Sequence, residues 1–246
     1  MAEPPLSGRI ALVTGAGVRV GRAIAWRLAE AGADVAVHYL DSRVAAGDLA
    51  ARIRASGRRA AALRADLGVP SDCRRLIRRC VETFGGIDFL VHSAANFHRV
   101  PFAETDEKVW ESAMSVNARS GLLLAREAAP ELRERRGRVV LISDRMAMHP
   151  PRHYLAHSVS KAAVEGLVRA LAVELAPEVS VNGIAPGAVL VPEGTPPEQA
   201  ERWARQVPLQ RLGEPEEVAE AVLFLCSGPS FLTGEILRMD GGQSLP

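Results

Sequence analysis

The sequence predicts an α/β domain built on a doubly wound, seven-stranded parallel sheet with helices on both faces. Three observations predict it: short apolar runs alternate with helically spaced ones along the chain, the first run leads into a glycine loop, and nothing resembling a linker, repeat or low-complexity segment interrupts the pattern. A single domain covering residues 1–246 follows, a length that α/β folds often use as one unit.

After the lead Glu3-Pro-Pro-Leu6, the run Arg9–Thr14 is apolar, short and closed by glycine, as a strand buried on both faces should be. The loop Thr14-Gly-Ala-Gly-Val-Arg-Val-Gly21 comes next. Val20–Gly32 then carries Ile24, Ala25, Leu28 and Ala29 at helical spacing and ends at Gly32, a C-cap residue. The alternation continues with strand Asp34–Leu40, helix Ser42–Ser56, strand Arg59–Ala65, helix Ser71–Phe84 and strand Asp88–Ala94. One helical stretch from about Asp106 to Arg135 precedes strand Arg138–Ser143, and helix Ser158–Leu175 precedes strand Val179–Ala185. Helices Pro196–Gln206 and Pro215–Cys226 lead to a last strand, Glu235–Met239. Right-handed crossovers between such strands place helices on both faces, and ligands then sit beyond the strands' carboxyl ends. The irregular stretch Ala188–Pro197, rich in Pro and Gly, is expected to be a mobile loop over the site.

Composition excludes several classes. With 48% hydrophobic and 24% charged residues the chain can build a core, which rules out disorder and collagen-like structure. Thirty basic against 29 acidic residues leave a net charge of +1, so no overall field points to nucleic acid or an anionic membrane. Cys73, Cys80 and Cys226 form no CxxC pair, and neither a secretory leader nor a bilayer-spanning run is evident; a cytoplasmic protein is expected. Only Lys108 and Lys161 among the basic residues are lysines, so a lysine in this chain is informative.

The glycine loop lies at the first strand-to-helix junction, where small residues let the backbone approach a pyrophosphate and a helix N-terminus favours negative charge. The fold type is therefore Rossmann. Arg19 adds a positive charge suited to a further phosphate on the adenosine ribose. The second strand runs Val35-Ala-Val-His38-Tyr39-Leu40-Asp41-Ser42, so its tip is Tyr39 and the carboxylate that selects NAD is missing there. Asp41 restores part of that selection and Ser42 serves either cofactor; NADP(H) is favoured and NAD(H) stays open.

In this order Thr14-Gly15…Gly21, Ala65-Asp66-Leu67, Ser93-Ala94, Asn117, the Lys161 helix, Pro186-Gly187 and Met239-Asp240-Gly241-Gly242 resemble the short-chain dehydrogenase/reductase family over essentially the whole chain. Arg19, His38-Tyr39, Phe97, Asp144, Val207-Pro-Leu and Phe224-Leu-Cys226 are most similar to its pteridine reductases. The resemblance implies cofactor contacts at Gly15, Arg19, Val20, Gly21, His38, Tyr39, Leu40, Ser42, Asp66, Leu67, Ser93, Ala94, Lys161, Pro186, Gly187 and Val189. It also implies a tetrad of Asn, Ser or Asp, Tyr and Lys. Asn117, Asp144 and Lys161 fill three places, and the tyrosine's position, four before the lysine, is His157. Alternation along the strand turns Ser143 away from the face of Asp144.

Reduction of a carbonyl or imine needs a proton donor within hydrogen-bond reach of the acceptor atom. Imidazole, with an ordinary pKa of about 6.5 against about 10 for a phenol, can serve without a large perturbation. An Asp144–His157 pair is thus a credible acid. Tyr154, seven residues before Lys161, is the rival donor and a candidate for the substrate pocket. Phe97 is either core or, as the resemblance implies, the aromatic that stacks on a pterin.

His149, His153 and His157 invite a metal reading, but Pro150-Pro151 interrupts any helix through His149 and no carboxylate lies within His153–His157, so no metal is expected. Helix Ser158–Leu175 is apolar nearly all round, which calls for cover on both sides, and the resemblance implies a homotetramer. Expected function is NADP(H)-dependent reduction of a pterin or small carbonyl substrate. A catalytically impaired dinucleotide-binding homologue serving as sensor or assembly partner, and a ketone or 3-oxoacyl-thioester reductase, remain alternatives.

Overall fold

The computed structural model describes residues 3–191 and 194–245. Its strands are Ile10–Thr14 (β1), Asp34–Tyr39 (β2), Ala60–Arg64 (β3), Phe89–His92 (β4), Arg138–Ile142 (β5), Ser180–Pro186 (β6) and Ile236–Met239 (β7). They form one sheet in the order β3-β2-β1-β4-β5-β6-β7, every pair parallel. The helices are Arg19–Glu30 (α1), Arg43–Ala55 (α2), Pro70–Phe84 (α3), Glu107–Ala113 (α4), Ser120–Glu134 (α5), Leu155–Glu174 (α6), Pro197–Arg205 (α7) and Pro215–Ser227 (α8).

Two cores result because alternate residues of each strand face opposite ways. Val13, Val35 and Val37 pack on one face with Ile24 and Leu28 of α1, Leu49 and Ile53 of α2 and Val222 of α8. Leu12, Ala36 and Leu90 face the other way, onto Leu76 of α3, Leu124 of α5 and Val168 of α6. Each fully buried aliphatic side chain contributes roughly 1.5–3 kcal/mol, so the continuous apolar runs seen in the sequence are what a sheet covered on both faces requires.

Strand order reverses between β1 and β4, where Thr14 lies opposite His92. This switch point opens the crevice in which doubly wound sheets bind ligands.

Several expected boundaries move. The helical stretch expected from about Asp106 to Arg135 runs without a break over residues 107–134, but its winding changes along the way, from α4 through a π turn over Met114–Arg119 to α5. Hydrophobic spacing does not register the extra residue of a π turn, a feature frequent at functional sites. Helix α6 begins at Leu155 instead of Ser158, which makes His157 helical. His153, at φ 73°, holds the segment after Pro150-Pro151 out of the helix. In the single chain one side of α6 is open, with Ala162, Gly166, Arg169, Ala170 and Val173 exposed. Strand β2 stops at Tyr39, one residue before the expected Leu40, and most other ends differ by one or two residues. Within Ala188–Pro197, positions 192 and 193 lie outside the described residues, as do 1, 2 and 246 of the expected domain. Among the described residues no helix is long and apolar enough to cross a membrane.

Candidate active site

The glycine loop folds back tightly at the switch point. Gly15 has φ 63°, and a Cβ there would stand 2.9 Å from Ala94 Cα; a Cβ on Gly21 would collide with the Gly15 carbonyl oxygen, and one on Gly17 with Ser42 Oγ. Only glycine satisfies the first two positions. Helix α1 starts here without a side-chain cap, with no acidic residue in its first turn, and with Arg19 as its first residue. An arginine there opposes the helix dipole and leaves the amino-terminal N–H groups uncapped by side chains, an arrangement that suits an anion. The tightly folded glycine turn, the uncapped amides and the exposed Arg19 together fit a dinucleotide's phosphates.

Two buried histidines support this loop from below. Gly15 N–H donates to His38 Nδ1 at 3.1 Å, so the opposite nitrogen carries the proton and donates to the Ala65 carbonyl at 3.1 Å. Burial pushes His38 down to about 4, against the weaker pull of the Ala65 carbonyl and Asp66. His38 is thus a support under the loop, with 2% of its surface exposed, and not a surface contact as expected for a cofactor ligand. His92 donates through Nε2 to Ser120 Oγ at 2.5 Å, and Ser120 in turn donates to the Val116 carbonyl. Complete burial pushes His92 down to about 3, with Lys161 acting in the same direction. Thr14 Oγ1 accepts the N–H groups of both Ser93 and Ala94 at 3.0 Å, tying β1 to the end of β4.

Around the crevice, Tyr39 is buried at the tip of β2, Leu40 and Asp41 are exposed, and Ser42 precedes α2. Asp66 is engaged in a local turn through Gly68 N–H, while Leu67 is buried. Pro186 closes β6, Gly187 N–H donates to the Met239 carbonyl at 2.9 Å, and Val189 packs on the core. Val20 is half-buried on α1.

The reaction-centre candidates come from four elements. Asn117 lies in the π turn, Asp144 lies two residues beyond β5, His157 and Lys161 lie one turn apart on α6, and Asn96 follows β4. His157 Nδ1 lies 3.1 Å from the Asn96 carbonyl oxygen, and Nε2 lies 3.4 Å from Asp144 Oδ2. Phe97, 50% exposed, meets the His157 ring edge to face at 4.7 Å and the Tyr154 ring at 5.1 Å. Lys161 Nζ donates to the Ile142 carbonyl at 2.7 Å. Burial pushes the Lys161 ammonium down to about 8, and Asp144 counters part of that effect.

Residues just before α6 do not share its helical geometry. Tyr154 is the residue preceding α6, with φ −119° and ψ 29°, so its position does not follow from helical rise; its ring instead lines the rim with Phe97. His153 also lies outside the helix, so its i, i+4 spacing to His157 places no pair on a common face. Ser143 turns away from Asp144, as alternation requires, and donates to Glu165 at 3.2 Å. Asn96 and Ser160 escaped the sequence reading. The first acts through a main-chain carbonyl that no residue type advertises; the second stands beside Lys161, a place that alone could have drawn notice.

A phosphate loop at a switch point, with a buried lysine beside a carboxylate-bearing crevice, defines the class of Rossmann-type dinucleotide-binding domains. The family model described as enoyl-(acyl carrier protein) reductase matches residues 15–244. A short-chain type dehydrogenase/reductase of Picea abies is 35% identical over 252 residues, covering 97% of this chain and 93% of the relative. Versicolorin reductase stcU of Emericella nidulans is 37% identical over 257 residues, covering 96% of each. The crystal structure of a blue fluorescent protein from a metagenomic library in complex with NADPH superposes with a TM-score of 0.92 at 30% identity, covering 98% of this chain and 99% of that one. The chain belongs to the short-chain dehydrogenase/reductase family of NAD(P)-dependent oxidoreductases.

Proposed function

We propose that the protein is an NADP(H)-preferring reductase of a pterin or small carbonyl compound, similar to pteridine reductases, in which His157 stands where most relatives have tyrosine. One observation carries the reading: the imidazole is held between the Asn96 carbonyl and Asp144, with Lys161 one helical turn away and the half-exposed Phe97 ring against it.

The nicotinamide, when bound, supplies the hydride. Lys161 spends one of its three protons on the Ile142 carbonyl and has two left for ribose hydroxyls. His157 with Asp144 holds the proton for the acceptor atom, Asn117 orients the Asn96 main chain beside it, and Tyr154 with Phe97 supplies an aromatic wall that suits a flat substrate. For the cofactor's second phosphate, Arg19 carries no ion pair among the described residues, and β2 ends in Tyr39 instead of a carboxylate. The NADPH in the metagenomic neighbour supports the same preference. Association into a homotetramer is supported by the groove that Met114, Ala118, Leu122, Ala163 and Leu167 leave open between the π turn with the start of α5 and α6. Three buried, unpaired thiols suit a reducing, cytoplasmic setting.

Two other readings have their own support. The description of the matching family model favours an acyl-thioester reductase, and the 3% exposure of His157 favours a nucleotide-binding homologue without turnover. Following NADPH absorbance with pterins, quinones, ketones and acyl thioesters, wild type beside His157→Tyr and Lys161→Ala, separates them. Pterin or carbonyl turnover that Lys161→Ala abolishes supports the first reading; no turnover at any pH supports the last.

A further inference from the structure

We propose that the main-chain carbonyl of Asn96 sets the tautomer of His157, making Nε2 the nitrogen that gains and releases the proton, and that Ser160 is a positioning residue for that carbonyl. The inference deepens the proposed function and rests on His157 being the proton donor.

A carbonyl oxygen can only accept, so Nδ1 at 3.1 Å must carry a hydrogen. A neutral imidazole has one N–H, which leaves the lone pair on Nε2. The second proton therefore arrives and departs at Nε2, the side facing Asp144 Oδ2 at 3.4 Å. The opposite tautomer would set a nitrogen lone pair against the carbonyl lone pairs.

The acceptor itself is clamped. Asn96 N–H donates to Asn117 Oδ1 at 2.7 Å, and Asn117 Nδ2 donates back to the Asn96 carbonyl at 3.1 Å. Nδ2 also donates to Ser160 Oγ at 2.9 Å, and the Ser160 hydroxyl donates to the His157 carbonyl at 2.7 Å. This closes a ring of contacts from the His157 imidazole through Asn96, Asn117 and Ser160 back to the His157 main chain. Reversing the Asn117 amide would place donor against donor at Asn96 N–H, so the network admits one orientation. Asn117, Ser160 and His157 are all buried, where an unmatched polar atom is costly. His38 and His92 provide internal contrast, since each donates through Nε2 when neutral.

Long-range nitrogen–proton correlation spectra of the protein labelled with ¹⁵N-histidine test this, with His157→Gln identifying the signals. In its neutral form His157 is expected to be protonated at Nδ1 while His38 and His92 are protonated at Nε2. Ser160→Ala is expected to give a mixture of His157 tautomers and a kcat lowered about tenfold, the rate equivalent of one neutral hydrogen bond, with KM for NADPH little changed. Asn117→Asp keeps the acceptor for Asn96 N–H, loses both donors, and should also mix the tautomers. Wild-type His157 protonated at Nε2, or both variants retaining the wild-type tautomer, would overturn the proposal. The spectra need no turnover, so a correct tautomer without NADPH consumption rejects only the functional reading, and turnover with the other tautomer rejects only this inference.

Discussion

Asp144 faces His157 with one carboxylate oxygen and holds the chain with the other: Oδ2 lies 3.4 Å from Nε2, while Oδ1 accepts Met146 N–H at 2.8 Å. The second contact locks the carboxylate at the end of β5, so its charge stays directed at the imidazole. Asp144→Asn should therefore keep the turn but lower kcat, and the loss should be smaller in His157→Tyr, as steady-state assays of the two single variants and the double variant would reveal.

Removing the imidazole is the sharper test. His157→Phe should lower the rate by about 10²–10⁴, the usual contribution of a positioned acid, while NADPH binding measured by fluorescence titration stays near wild type. His157→Tyr should stay active with a different pH profile. Equal rates for wild type and His157→Phe would exclude His157 as donor.

Lys161→Ala is expected to reduce kcat/KM roughly 100-fold and weaken NADPH binding, because the ammonium is a buried charged donor one helical turn from His157 and its loss also strands the Ile142 carbonyl. Isothermal titration with NADPH and initial rates check the two effects separately.

Phe97→Ala should raise KM for flat substrates by about tenfold, the worth of an aromatic contact with its buried area, and leave NADPH affinity unchanged. A panel of pterins and short aliphatic ketones distinguishes stacking from a packing role, which would depress all substrates alike.

Acid should loosen the loop. His38 is neutral in the fold, with a pKa lowered to about 4 from 6.5. The unfolded chain binds the proton first, so the associated stability is present above pH 6.5 and is lost as pH falls toward 4, on the order of 3 kcal/mol. Urea melts at pH 7 and pH 4.5 should show the loss, with a smaller pH dependence in His38→Gln.

The sheet was legible because strands buried on both faces must be continuously apolar, and Arg9–Thr14 or Arg138–Ser143 allow no other reading. The phosphate loop was legible because Gly15 and Gly21 occupy positions where a methyl group collides with backbone. Less accessible were features made by the main chain. The π turn around Asn117 leaves no periodic trace, the Asn96 carbonyl has no residue signature, and the burial of His38 depends on how Ala65 and Gly15 meet over it. The rim position of Tyr154 does not follow from its spacing to Lys161, because that spacing has geometric meaning only inside a helix, and the helix starts one residue later.

Thr14 has a consequence for kinetics. Because one hydroxyl engages both amides at the end of β4, the floor of the crevice is rigid before any nucleotide arrives. Capture then requires little ordering of that floor, and Thr14→Val, which keeps the shape but strands two donors, should slow association more than it speeds release.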